Sequence, residues 1–174
     1  MKMKFLNLML AGSIMFFASC GGGESTAPAT EAPAEEAKEE VVEEVEELEV
    51  YEVTVKAVGN TMSEMAFEPA TLEIPKGVKV VLTLVNEGED IAMQHNIVFV
   101  NFGKGEEVAQ EGVVAGPKKN YVSDNANVLA ASEIAEPGET ITFEFVSPES
   151  GSFQYICTYP GHFPKMVGSV ELVD

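Results

Sequence analysis

From about Leu48 onwards, apolar residues recur with a period of two, in short runs cut by glycine, proline, serine and asparagine. In YEVTVKAV (51–58), Tyr51, Val53, Val55 and Ala57 alternate with Glu52, Thr54 and Lys56. TLEI (71–74) leads into Pro75, Lys76 and Gly77; Val78, Val80, Leu82 and Leu84 then share one face as far as Asn86-Glu87-Gly88. HNIVFV (95–100), TITFEFV (140–146), SFQYIC (152–157) and MVGSVELV (166–173) read as further strands. Successive side chains on a strand point to opposite faces, so each run builds one apolar and one polar face. Many such runs with no long helical pattern predict an all-β Greek-key sandwich or barrel of about eight strands, spanning residues 50–174. Hydrophobic residues make up 45% of the chain, enough for a real core.

Residues 101–131 resist this pattern. They show little alternation and are long for a loop in a compact domain. The expectation is a flap, with NANVLAASEI (125–134) supplying a helical turn or two.

The N-terminus has a different character. Lys2 and Lys4 precede an uncharged apolar run, Phe5 to Ser19, that ends in small residues. A membrane-spanning helix needs roughly 20 apolar residues. This run is shorter, and residues 1–19 read as a secretory signal peptide. FASC (17–20) resembles the lipobox of bacterial lipoproteins, which implies that Cys20 is lipidated and becomes the mature N-terminus. Residues 20–49 then form a tether: three glycines, then Ala, Pro and Thr with eleven glutamates against one lysine, Lys38. Like-charge blocks of this kind stay solvated and extended. The expected location is outside the cytoplasm, facing the periplasm or the cell exterior and held to a membrane by lipid.

The chain has two cysteines and two histidines. If Cys20 carries lipid, Cys157 has no disulfide partner, although exported proteins usually pair their cysteines. An unpaired thiol in an oxidising compartment needs an occupation. His95 shares strand parity with Ile97 and Phe99, and Cys157 with Phe153 and Tyr155, so both should face the core. His162 and Met166 come next, in a loop made tight by Pro160, Gly161 and Pro164. Taken singly, a buried cysteine, a lone histidine or a strand methionine is more often simple core. Jointly, both histidines and the one remaining cysteine fall into one arrangement. A thiolate, two imidazoles and a thioether are the donor set of a blue-copper electron-transfer site. Zinc has no use for the thioether, a binuclear copper centre lacks its second cysteine, and a Cys157–His162 hydrolase has nothing in sequence to orient the imidazole.

The spacing Cys-x4-His-x3-Met, with MQHN far upstream, resembles the cupredoxins, most nearly those of azurin and auracyanin type. The resemblance implies an eight-stranded Greek-key sandwich with type 1 copper at one end. Carried over, His95, Cys157 and His162 would form a trigonal plane, with Met166 as the long axial ligand. Gln94 stands where azurin has glycine, and azurin's structural disulfide has no counterpart. In this family the side chains of Asn96 and Thr158 tie the ligand strands together. The N–H groups of Asn96 and Tyr159 would donate to the Cys157 sulfur, Tyr159 being the last donor before Pro160.

The function implied is that of a one-electron carrier between redox proteins, with no substrate chemistry of its own. Its electron port is expected at a solvent-facing edge of His162, ringed by Phe163 and Pro164. The alternative is a module that stores or delivers copper. A net charge of −19, with every basic residue a lysine, argues against nucleic acid, whose binding requires neutralised phosphates. It suits a monomer that meets a basic partner such as a small c-type cytochrome.

Overall fold

The computed structural model describes residues 48–174. The expected signal peptide (1–19), Cys20 and the expected tether as far as residue 47 lie outside the described residues. Among the described residues, nine strands make two sheets. One sheet has the order β2-β1-β4-β7, from Ala66–Glu68, Val50–Val58, Lys79–Asn86 and Thr140–Val146. The other has the order β3-β9-β8-β5-β6, from Thr71–Pro75, Val167–Val173, Phe153–Ile156, Val98–Asn101 and Val128–Ala131. β1 pairs parallel with β4, and β3 with β9; the remaining pairs are antiparallel.

Alternation decides the inner faces. Val55 and Ala57 of β1 and Val80, Leu82 and Leu84 of β4 are fully buried, and they meet Leu72, Ile74, Phe99 and Tyr155 from the opposite sheet. Tilted ring pairs extend this core: Phe99 lies 4.7 Å from Phe145 and 5.8 Å from Tyr155, centroid to centroid. β5 and β8 depart from alternation because both of their faces are covered. On the far side of that sheet Val98, Val100 and Ile156 pack under Val108 and Ala109 of a helix, α1 (Gly105–Ala115). An unbroken apolar run such as IVFV is what two-sided burial demands.

Tyr155 shows how tightly β8 packs beside β9. Its ring is fully buried and its hydroxyl donates to the Pro69 carbonyl. The ring lies over Gly168 of β9, where a Cβ would overlap it. Gly168→Ala is therefore expected to destabilise the domain by about 1–3 kcal/mol, as over-packing does. A lowered urea midpoint with an unchanged slope would show it.

Three expectations need correction. The helix of the flap sits at 105–115, not at 125–134. Gly105, Val108, Ala109 and Gly112 recur at helical spacing along its buried side, but two glycines and three valines make that period faint. NANVLAASEI instead contributes the edge strand β6, which pairs with β5 across a bulge. Finally, the strand expected over 95–100 begins only at Val98. His95 makes an isolated bridge with Ala135, its N–H donating at 3.1 Å and its carbonyl accepting at 2.7 Å.

Candidate metal centre

β1 and β4 run parallel, so the loops that come after them leave the sandwich at the same end. Asn86, the last residue of β4, organises that end. Its buried amide donates to the carbonyls of Met93 (2.7 Å) and Ala135 (2.9 Å), while its Oδ1 accepts from the Gly88 N–H at 2.9 Å. These bonds fix the loop before His95 and the segment bridged to it. Sequence alone shows Asn86 merely as a turn residue.

Cys157 lies one residue past β8, and its N–H donates to the Met166 carbonyl at 3.1 Å. The intervening loop closes on itself: His162 N–H reaches the Tyr159 carbonyl (3.1 Å), and Met166 N–H reaches the His162 carbonyl (3.0 Å). Gly161 adopts φ 85°, a left-handed turn that glycine enters without strain. The loop thereby places His162 back over Cys157.

The four expected metal ligands are brought to one end and buried: His95, Cys157 and Met166 are 0% exposed and His162 is 1% exposed. The Cys157 Sγ lies 3.8 Å from His95 Nδ1 and 3.6 Å from His162 Nδ1, and the two nitrogens are 3.1 Å apart. A point equidistant from these atoms sits about 2.0 Å from each, against metal bonds of ~2.0–2.1 Å to imidazole and ~2.3 Å to thiolate. Three lone-pair donors face one point that a cation fits. The donor chemistry, soft sulfur with imidazole, suits copper in both of its oxidation states.

Burial sets the protonation of these groups. Desolvation, then the neighbouring His162, holds His95 down at about 3, so its imidazole is neutral and free to ligate. His162 is also lowered by burial, opposed by a hydrogen bond to the backbone of Ala92. Burial pushes the Cys157 thiol up to about 12, against the pull of hydrogen bonds from the N–H groups of Asn96 and Tyr159. Those two donors are the ones expected from the chain order. A thiol raised in this way stays protonated by itself, and binding to a metal ion would ionise it.

Asn96 and Thr158 clasp each other. Asn96 Nδ2 donates to Thr158 Oγ1 and the Thr158 N–H donates to Asn96 Oδ1, both at 2.8 Å. The same Nδ2 also reaches the Asn120 carbonyl at 2.8 Å. Asn120 and Tyr121 both have positive φ (52° and 56°), an uncommon pair for residues with a Cβ. The flap is thus bonded directly to the centre, a link invisible in sequence. α1 adds to it through Gly112, where a Cβ would overlap the Tyr121 carbonyl and press on Thr158 at 3.2 Å.

The remaining positions divide. Tyr159 packs on His162 at a tilt of 48°, with ring centroids 4.8 Å apart, and meets Tyr121 edge-on at 5.2 Å. The Gln94 side chain turns away to Glu136, 2.6 Å from its carboxylate. His162 has no solvent-facing edge: the Ala92 backbone and the Tyr159 ring cover it. Phe163 is half-buried: it packs beneath α1 with Ile156 and Val108 and also lines a surface groove with Tyr159, Gly161 and Pro164. Pro164 is exposed as expected, and Ile91 and Met62, 82% and 50% exposed, also face solvent at this end.

Comparison with known proteins agrees with this geometry. A family model for copper-binding proteins, the plastocyanin/azurin family, matches residues 52–173. Auracyanin-A of Chloroflexus aurantiacus is 32% identical over 165 residues, spanning 93% of this chain and 91% of the relative. Outer membrane protein H.8 of Neisseria gonorrhoeae is 33% identical, spanning 99% of this chain and 100% of the relative. The solved structure of auracyanin A, described as a "blue" copper protein, matches with a TM-score of 0.64 at 30% identity. That match covers 72% of this chain and 100% of the other. A sandwich with copper-fitting donors converging at one end, matched along nearly all of its described length, places this chain in the plastocyanin/azurin family of copper-binding proteins.

Proposed function

We propose that the protein is a membrane-tethered one-electron carrier, in which His95, Cys157, His162 and Met166 would hold one type 1 copper ion. The copper supplies the redox step, passing between Cu(I) and Cu(II). The chain's part is to hold donors acceptable to both states in one rigid frame. The observation that carries this reading is the closure of the site, with every donor residue at most 1% exposed. Storage or delivery of copper calls for an exposed, exchanging site, and the burial weighs against it. Asn86, Asn96 and Thr158 fix the loops on either side of the donors, so little moves when the charge changes.

Electrons would leave through the cover of His162, the Asp90–Met93 turn, where Ile91 offers an apolar contact. Its surroundings are mainly acidic: Glu64, Glu87, Glu89, Asp90, Glu133, Glu136 and Glu139 lie on the loops of this end, against Lys56, paired with Glu87 at 2.7 Å, and the exposed Lys165 of the ligand loop. Over residues 50–174 there are eighteen acidic residues and seven lysines, a net of −11. The partner this suits is a cationic redox protein, such as a small basic c-type cytochrome, meeting a monomeric carrier. Stopped-flow electron transfer with such a cytochrome should slow as salt rises, because charges beyond roughly 10 Å are screened at 0.1 M. A rate flat across the salt series would contradict electrostatic docking.

Attachment is proposed through lipid on Cys20, after removal of residues 1–19, with residues 20–49 as the tether. The support is FASC itself and a relative of matching length that is named as an outer membrane protein. Each buried CH2 of an acyl chain contributes about 0.8 kcal/mol, so several chains hold firmly. Mass spectrometry of protein from the native membrane should find acylated Cys20 as the first residue. An unmodified N-terminus beyond Cys20 would overturn this.

A further inference from the structure

Every methionine in the described domain lies at the metal end. Met62 and Met65 are in the turn after β1, and Met93 is in the loop after β4. Those strands are parallel and in register, Ala57 opposite Asn86, so both segments leave at the same end. Met166 precedes β9 beside Cys157. Three of the four are core, with Met65, Met93 and Met166 at most 2% exposed. Met62 is 50% exposed. Its methyl group lies over Gly161, where a Cβ would be 3.4 Å from Met62 Cε. Gly161 is the left-handed turn residue next to His162, in the loop that closes the site.

A site whose donors are buried still needs an entry path for its ion. The donors on the inside face one another and none is exposed. Among the described residues, the one thioether that solvent reaches sits on the lid of that loop. Thioethers are soft ligands that select Cu(I). We propose that Met62 is the capture ligand for Cu(I), taking the ion at the surface and passing it under Gly161 to His162 and Cys157. This inference rests on the copper reading of the site. The ion stays Cu(I) throughout. It exchanges its carrier ligand and then the Met62 thioether for the buried donors, and the Cys157 thiol releases its proton to solvent as the sulfur binds.

Met62→Leu separates this role from that of an apolar rim, since it keeps size and apolarity and removes only the sulfur. Metal-free wild type and variant are mixed with the Cu(I)–bicinchoninate complex, and loss of that complex's colour is monitored in time. The variant should load roughly tenfold more slowly, the effect of about 1.4 kcal/mol on the path. Its oxidised spectrum, reduction potential and urea midpoint should equal those of wild type, since Met62 is no part of the finished site. Loading with Cu(II), a harder ion, should proceed at one rate in both proteins. Equal Cu(I) loading rates in both proteins overturn the proposal, and so does an altered final spectrum in the variant. A wild-type protein that takes up no copper would instead overturn the copper site itself.

Discussion

Replacing Cys157 by serine should abolish the colour of the copper-loaded protein, because thiolate-to-copper charge transfer requires the sulfur. A neutral hydroxyl in that pocket is a poor copper ligand, even with the Asn96 and Tyr159 N–H groups beside it. Copper affinity should fall with the colour. Met166→Leu provides the contrast. It preserves the three converging donors, so copper and colour remain. Loss of an axial donor disfavours Cu(II) and should raise the reduction potential. Absorption and redox titration of both variants check this together, and equal loss of copper in the two would contradict the assignment of the plane.

The second large effect is expected from Asn96→Ala. That side chain is wholly buried and makes three hydrogen bonds, two with Thr158 and one with the Asn120 carbonyl. Its removal leaves the buried Thr158 N–H and Thr158 Oγ1 without this partner, and the half-buried Asn120 carbonyl loses its donor. Unsatisfied buried groups cost about 1–3 kcal/mol each, so a loss of roughly 3 kcal/mol or more is expected. Urea denaturation of the metal-free protein measures it. In the copper-loaded variant the reduction potential should also shift, because the Asn96 N–H that bonds the Cys157 sulfur loses its anchorage. A variant that is destabilised but has the wild-type potential would make Asn96 a purely structural clasp.

The strands legible in the sequence are those with one wet face. β1, β4 and β7 alternate cleanly because water lies on one side, and their positions come from period two alone. β6 and α1 are not legible in this way because tertiary packing decides them. VLAA is an edge strand only because β5 offers it hydrogen bonds, and GEEVAQEGVVA is a helix whose glycines allow close approach to Thr158 and Ile156. At the site, the donor residues are visible because their chemistry is rare in this chain. Inward parity and loop spacing then place His95, Cys157 and His162 within reach of one another. The bonds through Asn86 and Asn120 are hidden, since asparagine near a turn has many ordinary uses. The covered edge of His162 is hidden for a similar reason: the Ala92 backbone supplies the cover, and side-chain identity does not encode it.

The central claim is that a buried thiolate and two imidazoles hold one copper ion. The absorption spectrum of the copper(II)-loaded protein tests it most directly. An intense band towards the red, at one copper per chain, is the predicted result. Weak copper bands with no charge transfer would mean that the Cys157 sulfur is not a ligand, and would contradict the account.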